Sequence, residues 1–234
     1  MPSLVQLLAL HRHLLVLDAS STVIQVGLLR ADAHPVWRHA QTDANQGLFT
    51  QAAACLAEGG GRSMAEIEAF VFCEGPGSML GVRTAAMAIR AWQAVAESPR
   101  PAYRYQSLTV VAHELVRRGE AAPFAVIADA RRDLWHLVEV GPDLNPQPLK
   151  RVPAEELALF PGPVWTPKTF KLWSQPPLET RPHEYDLPTL LAALPDKELF
   201  VLADAPDAFQ HDAPAYKKWS PQIHRAATRS TPTH

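Results

Sequence analysis

One layout occurs twice in this chain and limits what it can fold into. An apolar run ends in an acid, a short turn follows, and a second strand-like run returns. Leu14-Leu15-Val16-Leu17-Asp18 precedes Ala19-Ser20-Ser21 and a β-branched stretch at 22–29, with polar Gln25 near its centre. Phe124-Ala125-Val126-Ile127-Ala128-Asp129 precedes Ala130-Arg131-Arg132-Asp133 and a second run at 134–140. Continuous apolar runs of this length read as strands covered on both faces, and a return after so short a turn reads as a hairpin. A buried strand that ends in Asp and pairs with its successor, present twice, predicts two related α/β lobes. The 234 residues suffice for one large or two small domains and for a core that needs no disulfide or metal.

The first copy continues as a meander, with a third strand at 35–40 that starts at Pro35, where a missing N–H is tolerated. A helix over 46–58 is stopped by Gly59-Gly60-Gly61. Ser63-Met64-Ala65-Glu66 fits a capping box and predicts a short helix, followed by a strand at 69–73. The stretch Glu74-Gly75-Pro76-Gly77-Ser78-Met79-Leu80-Gly81-Val82-Arg83 then leads into an alanine-rich helix to about residue 97. Glycines allow the sharp turn. A helix N-terminus with free N–H groups and a positive dipole end suits phosphate or carboxylate, and Ser78 can cap it. No Gly-Lys-Ser/Thr ends the stretch, and its glycines lack the dinucleotide spacing. An anion-facing turn and a purely structural one both satisfy the pattern. Arg83 lies a helical turn further on, within reach of an anion or of Glu74.

The two helices have wide apolar surfaces. Gly81, Ala85, Ala88 and Trp92 form one stripe, Val82, Ala86 and Ile89 an adjacent one, and Leu48, Phe49, Ala52 and Leu56 line the preceding helix. One face covers the sheet. The second either docks another chain or is further internal core.

Ser107 begins a helix over 108–118 that leads to the second copy. Beyond it, residues 141–188 carry eleven of the 22 prolines, which predicts a reduced, loop-rich lobe with short elements near 152–159, 187–194 and 199–203. The expected division is a first lobe over 13–103, a smaller Pro-rich lobe over 104–222, and a basic, mobile tail over 223–234.

Composition narrows the function classes. A net charge of −2, from 22 Lys+Arg and 24 Asp+Glu, supplies no field that would draw the chain to nucleic acid or acidic lipid. Two cysteines, Cys55 and Cys73, argue for a reducing, cytoplasmic setting over a disulfide framework. The apolar opening at 4–10 lacks a basic flank and a cleavage site, and no run reaches the roughly 20 residues of a membrane span, so neither export nor anchoring is expected. The histidines show no His-x-x-x-His pair, and no metal site is expected.

The run Leu14-Leu15-Val16-Leu17-Asp18-Ala19-Ser20, the motif Gly75-Pro76-Gly77-Ser78 with Gly81-Val82-Arg83, and Asp129-Ala130-Arg131-Arg132 resemble, in order and spacing, the TsaB (YeaZ-like) family of tRNA threonylcarbamoyladenosine biosynthesis proteins. Pro214-Ala215-Tyr216 followed by Lys217 is similar to that family's late Pro-x-Tyr-Leu-Arg motif. The resemblance implies an α/β, actin-like ATPase fold of two ribonuclease-H-like lobes with mixed sheets, the second lobe reduced. It implies a non-catalytic scaffold, paired with a metal-bearing TsaD-type subunit and working with a small TsaE-type ATPase, that supports transfer of threonylcarbamoyl to an adenosine beside the tRNA anticodon. It assigns the pairing surface to the helices at 46–58 and 79–97, a surface also able to form homodimers, with tRNA met only through the complex. The chain would carry no cofactor of its own, with ATP or ADP at the partner interface left open. The lobe-junction or anion-facing loops would hold Asp18, Ser20, Gly75, Gly77, Ser78, Arg83, Asp129 and Arg131.

The chain departs from that family in places. Met79-Leu80 replaces Phe-Thr, Asp133-Leu134-Trp135-His136 replaces Gly-Glu-Val-Tyr, and the His-Ser that opens the first helix is missing near Asn45-Gln46. Two other readings stand beside the scaffold: a phosphotransferase of the same fold using Asp18 or Asp129 with magnesium, and a protein-binding relative without the tRNA role. Ala19-Ser20 after the first acid is a poor phosphate grip for the former.

Overall fold

The computed structural model describes residues 1–98 and 100–209. The Pro214-Ala215-Tyr216-Lys217 motif and the 223–234 tail lie outside the described residues.

Two mixed sheets carry the same topology. In the first, β1 (His13–Asp18), β2 (Ile24–Arg30) and β3 (Ala33–Ala40) form an antiparallel meander, and β4 (Ala69–Gly75) and β5 (Ala102–Gln106) extend it in parallel from the other side of β1. In the second, β6 (Phe124–Asp129), β7 (Leu134–Val140) and β8 (Lys150–Pro153) repeat the meander, with β9 (Val164–Pro167) and β10 (Arg181–His183) parallel beside β6. The spatial orders are β3-β2-β1-β4-β5 and β8-β7-β6-β9-β10, so Asp18 and Asp129 end equivalent central strands. The duplication read from the apolar runs is a duplication of the fold.

The expected boundary at 103/104 falls inside β5, and β11 (Val201–Leu202) returns to pair with β5 at the edge of the first sheet. Strands β9 and β10 lie in the proline-rich stretch, between the short elements expected near 152–159 and 187–194. Pro182 is tolerated because β10 is an edge strand, and Pro167 ends β9.

The alternating pleat of β1 divides the core. Leu15 and Leu17 face α2 (Ala44–Glu58) and α3 (Met79–Ala94) in one apolar cluster. Leu14 and Val16 face the other way, into a cluster that holds α4 (Ser107–Arg117) between the two sheets. Leu108, Val110, Val111, Ala112 and Leu115 of α4 are all buried. The outer face of the second sheet packs a smaller cluster with α5 (Ala154–Leu157), and α6 (Leu187–Ala193) packs against α4. The Ser63 capping box closes a short 3-10 turn, Met64–Glu66.

The leader-like opening folds as α1 (Leu4–Leu10), capped reciprocally by Ser3 and Gln6, with Leu4 and Leu7 buried in the inter-sheet cluster. Its apolar residues at i and i+3 are core contacts.

Candidate functional site

The two turns singled out in the sequence meet. Ser78 donates its backbone N–H to the Ser20 carbonyl at 2.6 Å, which docks the Gly-Pro-Gly-Ser turn on the turn after Asp18. A Cβ on Gly77 would lie 2.2 Å from the Ser20 carbonyl oxygen, and one on Gly81 would lie 1.8 Å from that of Ala19. Gly77 also has a φ of +147°, where other residues are strained. Close approach of α3 to the β1–β2 turn therefore demands these glycines. Ser78 caps α3 as expected, accepting from the Gly81 N–H at 3.3 Å. Ser107 is instead the first residue of α4, and its buried hydroxyl donates to the Pro76 carbonyl at 2.7 Å, holding the turn from behind.

Asp18 has no exposed surface. Its Oδ1 accepts the Ser20 N–H at 2.8 Å and the Ser20 hydroxyl at 2.7 Å; its Oδ2 accepts the hydroxyls of Tyr105 at 2.5 Å and Tyr185 at 2.6 Å. Four donors occupy the lone-pair directions of this carboxylate. Burial, followed by the negative charge of Asp18, pushes both phenols well above the ordinary tyrosine range, so they remain donors. The same two causes raise the nearby Cys73 thiol and keep it protonated. Asp18 lies where the two lobes meet, bonded to Tyr185, and faces the interior and not the cleft.

Asp129 does face the cleft. Its Oδ1 accepts the Arg131 N–H at 2.6 Å, and its Oδ2 accepts the N–H groups of Trp173 at 2.7 Å and Ser174 at 2.6 Å. This carboxylate organises two loops. The hairpin turn beside it places Arg131, Arg132 and Asp133 in succession at φ of 63°, 54° and 59°, a left-handed conformation costing roughly 1–2 kcal/mol per non-glycine residue. The Asp133 carbonyl accepts the Ala154 N–H at 2.9 Å and helps to hold it.

A cleft of about 660 Å³ opens between the lobes. Ser20, Thr22 and Ser78 line one wall, and Asp129, Arg131 and Trp173 the other. Gly77 also lines it, whereas Gly75 and Arg83 do not. Arg83 is exposed on α3, and Glu74, one of the two partners left open for it, is held by Arg104 at 2.5 Å and Gln106 at 3.0 Å. Among the described residues no group of three His, Cys, Asp or Glu side chains is placed to hold a metal ion, and no helix is long and apolar enough to cross a membrane.

The partner surface needs correction. Leu48, Ala52, Leu56, Val82, Ala86 and Ile89 are buried at 6% exposure or less, between α2, α3 and the sheet. Of the seven residues expected there, only Phe49 is exposed, at 44%. Both apolar stripes are core, because the helices lie in one layer and pack against each other as well as against the strands. Phe49 on α2 and Met79, Leu80 and Met87 on α3 are exposed, and Met79 and Leu80 also line the cleft. Phe49 meets the edge of Trp92, which stacks on core Phe70. Sequence reasoning missed Tyr105 and Tyr185 as partners of Asp18 and missed Lys171 and Trp173 at the cleft; each is brought there only by tertiary contact.

No protein-family model and no curated protein sequence matches the chain. Among solved structures it is similar to YeaZ from Pseudomonas aeruginosa, with 23% identity and a TM-score of 0.51 over 66% of this chain and 74% of that one. A second P. aeruginosa structure, of an uncharacterized protein with similarity to peptidase YEAZ, gives 22% identity and a TM-score of 0.51 over the same shares. The likeness concerns the fold, and it agrees with the repeated strand order: the chain has the α/β, actin-like ATPase fold built from two ribonuclease-H-like lobes.

Proposed function

We propose that this chain is a TsaB-like, non-catalytic scaffold subunit of the complex that installs threonylcarbamoyl on the adenosine beside the tRNA anticodon. It pairs with a TsaD-type catalytic subunit, works with a TsaE-type ATPase and meets tRNA through the complex. The reading draws on the ordered motifs in the sequence and on the YeaZ-like fold. One observation carries its non-catalytic half. The acid that ends β1, where a phosphotransferase of this fold would need an open carboxylate, spends both oxygens on Ser20, Tyr105 and Tyr185. Freeing it to bind a cation would leave buried hydroxyls unsatisfied, at about 1–3 kcal/mol for each orphaned group.

The docking half draws on the outward face of α2 and α3. Phe49 and Met87 are 44% and 53% exposed, on two helices that pack on each other and on the sheet. Exposed apolar side chains on well-packed helices suit a protein-binding surface. Either a TsaD-type partner or a second copy of this chain fits there.

The test is reconstitution. With a TsaD-type subunit, a TsaE-type ATPase, tRNA and the threonylcarbamoyl adenylate, addition of this chain should raise modification of the tRNA, while the chain alone turns over no ATP. Steady ATP hydrolysis by the isolated chain, abolished by Asp18→Asn, would overturn the reading.

A further inference from the structure

The cleft between the lobes holds a charge arrangement that the scaffold role does not use. Arg131, from the turn after β6, places its guanidinium carbon 4.8 Å from the centre of the Trp173 ring, and Lys171 places its ammonium 3.9 Å from the same centre. Two cations over one indole are within a Debye length of each other, about 8–10 Å at ordinary ionic strength, and they repel. Neither has a carboxylate at ion-pair distance among the described residues. Asp129, which lines the same cleft, has its oxygens turned to the N–H groups of Arg131, Trp173 and Ser174. That engagement fixes the loops that carry both cations and leaves their charge uncompensated.

All three side chains line the cleft of about 660 Å³, a volume within the range that encloses a small organic molecule. Across from them stand Met79 and Leu80, in the first turn of α3, whose N–H groups have no partner within the helix. Ile24 and Phe170 add apolar surface. The cations already lie on the indole, so Trp173 serves as their support and not as a stacking platform for a base.

We propose that this cleft binds a small organic anion, with its oxyanion head, a carboxylate or a phosphate, gripped by Arg131 and Lys171 beside Trp173 and its uncharged body lying against Ile24 and Phe170. An anionic group bound beside the two cations offsets their repulsion and gains charge-assisted hydrogen bonds. The lining residues all belong to this chain.

Calorimetric titration of the intact chain tests it, with phenyl phosphate, benzoate and inorganic phosphate as probes. Phenyl phosphate or benzoate should bind saturably and more tightly than inorganic phosphate, and which of the two binds more tightly identifies the head. Binding should weaken with added salt and fall about tenfold or more in Arg131→Gln/Lys171→Gln. Both positions are exposed, and an unchanged urea midpoint will show that the double variant is folded. Lys150→Gln, on β8 and outside the cleft, should bind as the parent does. Failure of both organic probes to saturate, inorganic phosphate binding as tightly as either, or a double variant that binds like the parent would each overturn the proposal.

Discussion

Tyr185 donates its hydroxyl to Asp18 across 167 residues of chain, at 2.6 Å. The tyrosine follows β10 in the second lobe and the acid ends β1 in the first, so this bond ties the lobes together. Gln25 adds two more ties, donating to the Tyr185 carbonyl at 3.3 Å and accepting the Leu187 N–H at 2.7 Å. Removing the hydroxyl in Tyr185→Phe leaves a buried carboxylate short of a donor and should cost about 1–3 kcal/mol in urea unfolding. A change within measurement error would show that the bond carries no stability.

Gly81→Ala introduces a methyl 1.8 Å from the Ala19 carbonyl oxygen, backbone that cannot rotate away. Overpacking of this kind costs typically 1–3 kcal/mol, and more where backbone must move. A folded, equally stable Gly81→Ala would mean that α3 is not seated on the β1–β2 turn.

Asp133 sits at φ +59° in the third successive left-handed position of its turn. Glycine adopts that conformation without steric cost, while Val cannot relieve it. Asp133→Gly should therefore raise the thermal midpoint modestly and Asp133→Val should lower it; the reverse order would contradict the turn geometry.

Acid should weaken the fold through two imidazoles. Burial, then the charge of Arg118, holds His183 below the ordinary histidine range against the raising effect of its Glu184 contact, and burial, then the charge of Lys197, does the same for His113. Below the unfolded value of about 6.5 the unfolded chain takes up protons that the native chain resists. Stability is thus fully present above that pH and is lost as pH falls toward the depressed native values. The urea midpoint should be lower at about pH 5.5 than at about pH 7.5, and the difference should shrink in His183→Phe. An equal difference in both proteins would contradict this account.

The sequence disclosed what local patterns control. The runs ending in Asp18 and Asp129 marked the central strands, and the spacing at Gly77 and Gly81 marked a tight strand–helix turn, because burial and backbone freedom are written locally. The seal on Asp18 was not legible, since Tyr105 and Tyr185 reach it only once the lobes close. Nor was the direction of the helix stripes: Val82, Ala86 and Ile89 look the same from the sequence whether they meet a partner or the neighbouring helix. Strand β10 escaped notice because Pro182 argues against a strand until its edge position is known.

The central claim, that a sealed actin-like fold acts as a docking platform, is tested most directly by sedimentation of the chain with a TsaD-type subunit, using Met87→Glu as the comparison. Met87 is 53% exposed on the outer face of α3, so the charge should leave the fold intact, unlike Ala86→Glu at 1% exposure. The account predicts a stable complex for the parent chain and its loss in Met87→Glu at an unchanged unfolding midpoint. A parent chain that does not associate, or a Met87→Glu variant that associates equally well, would contradict it.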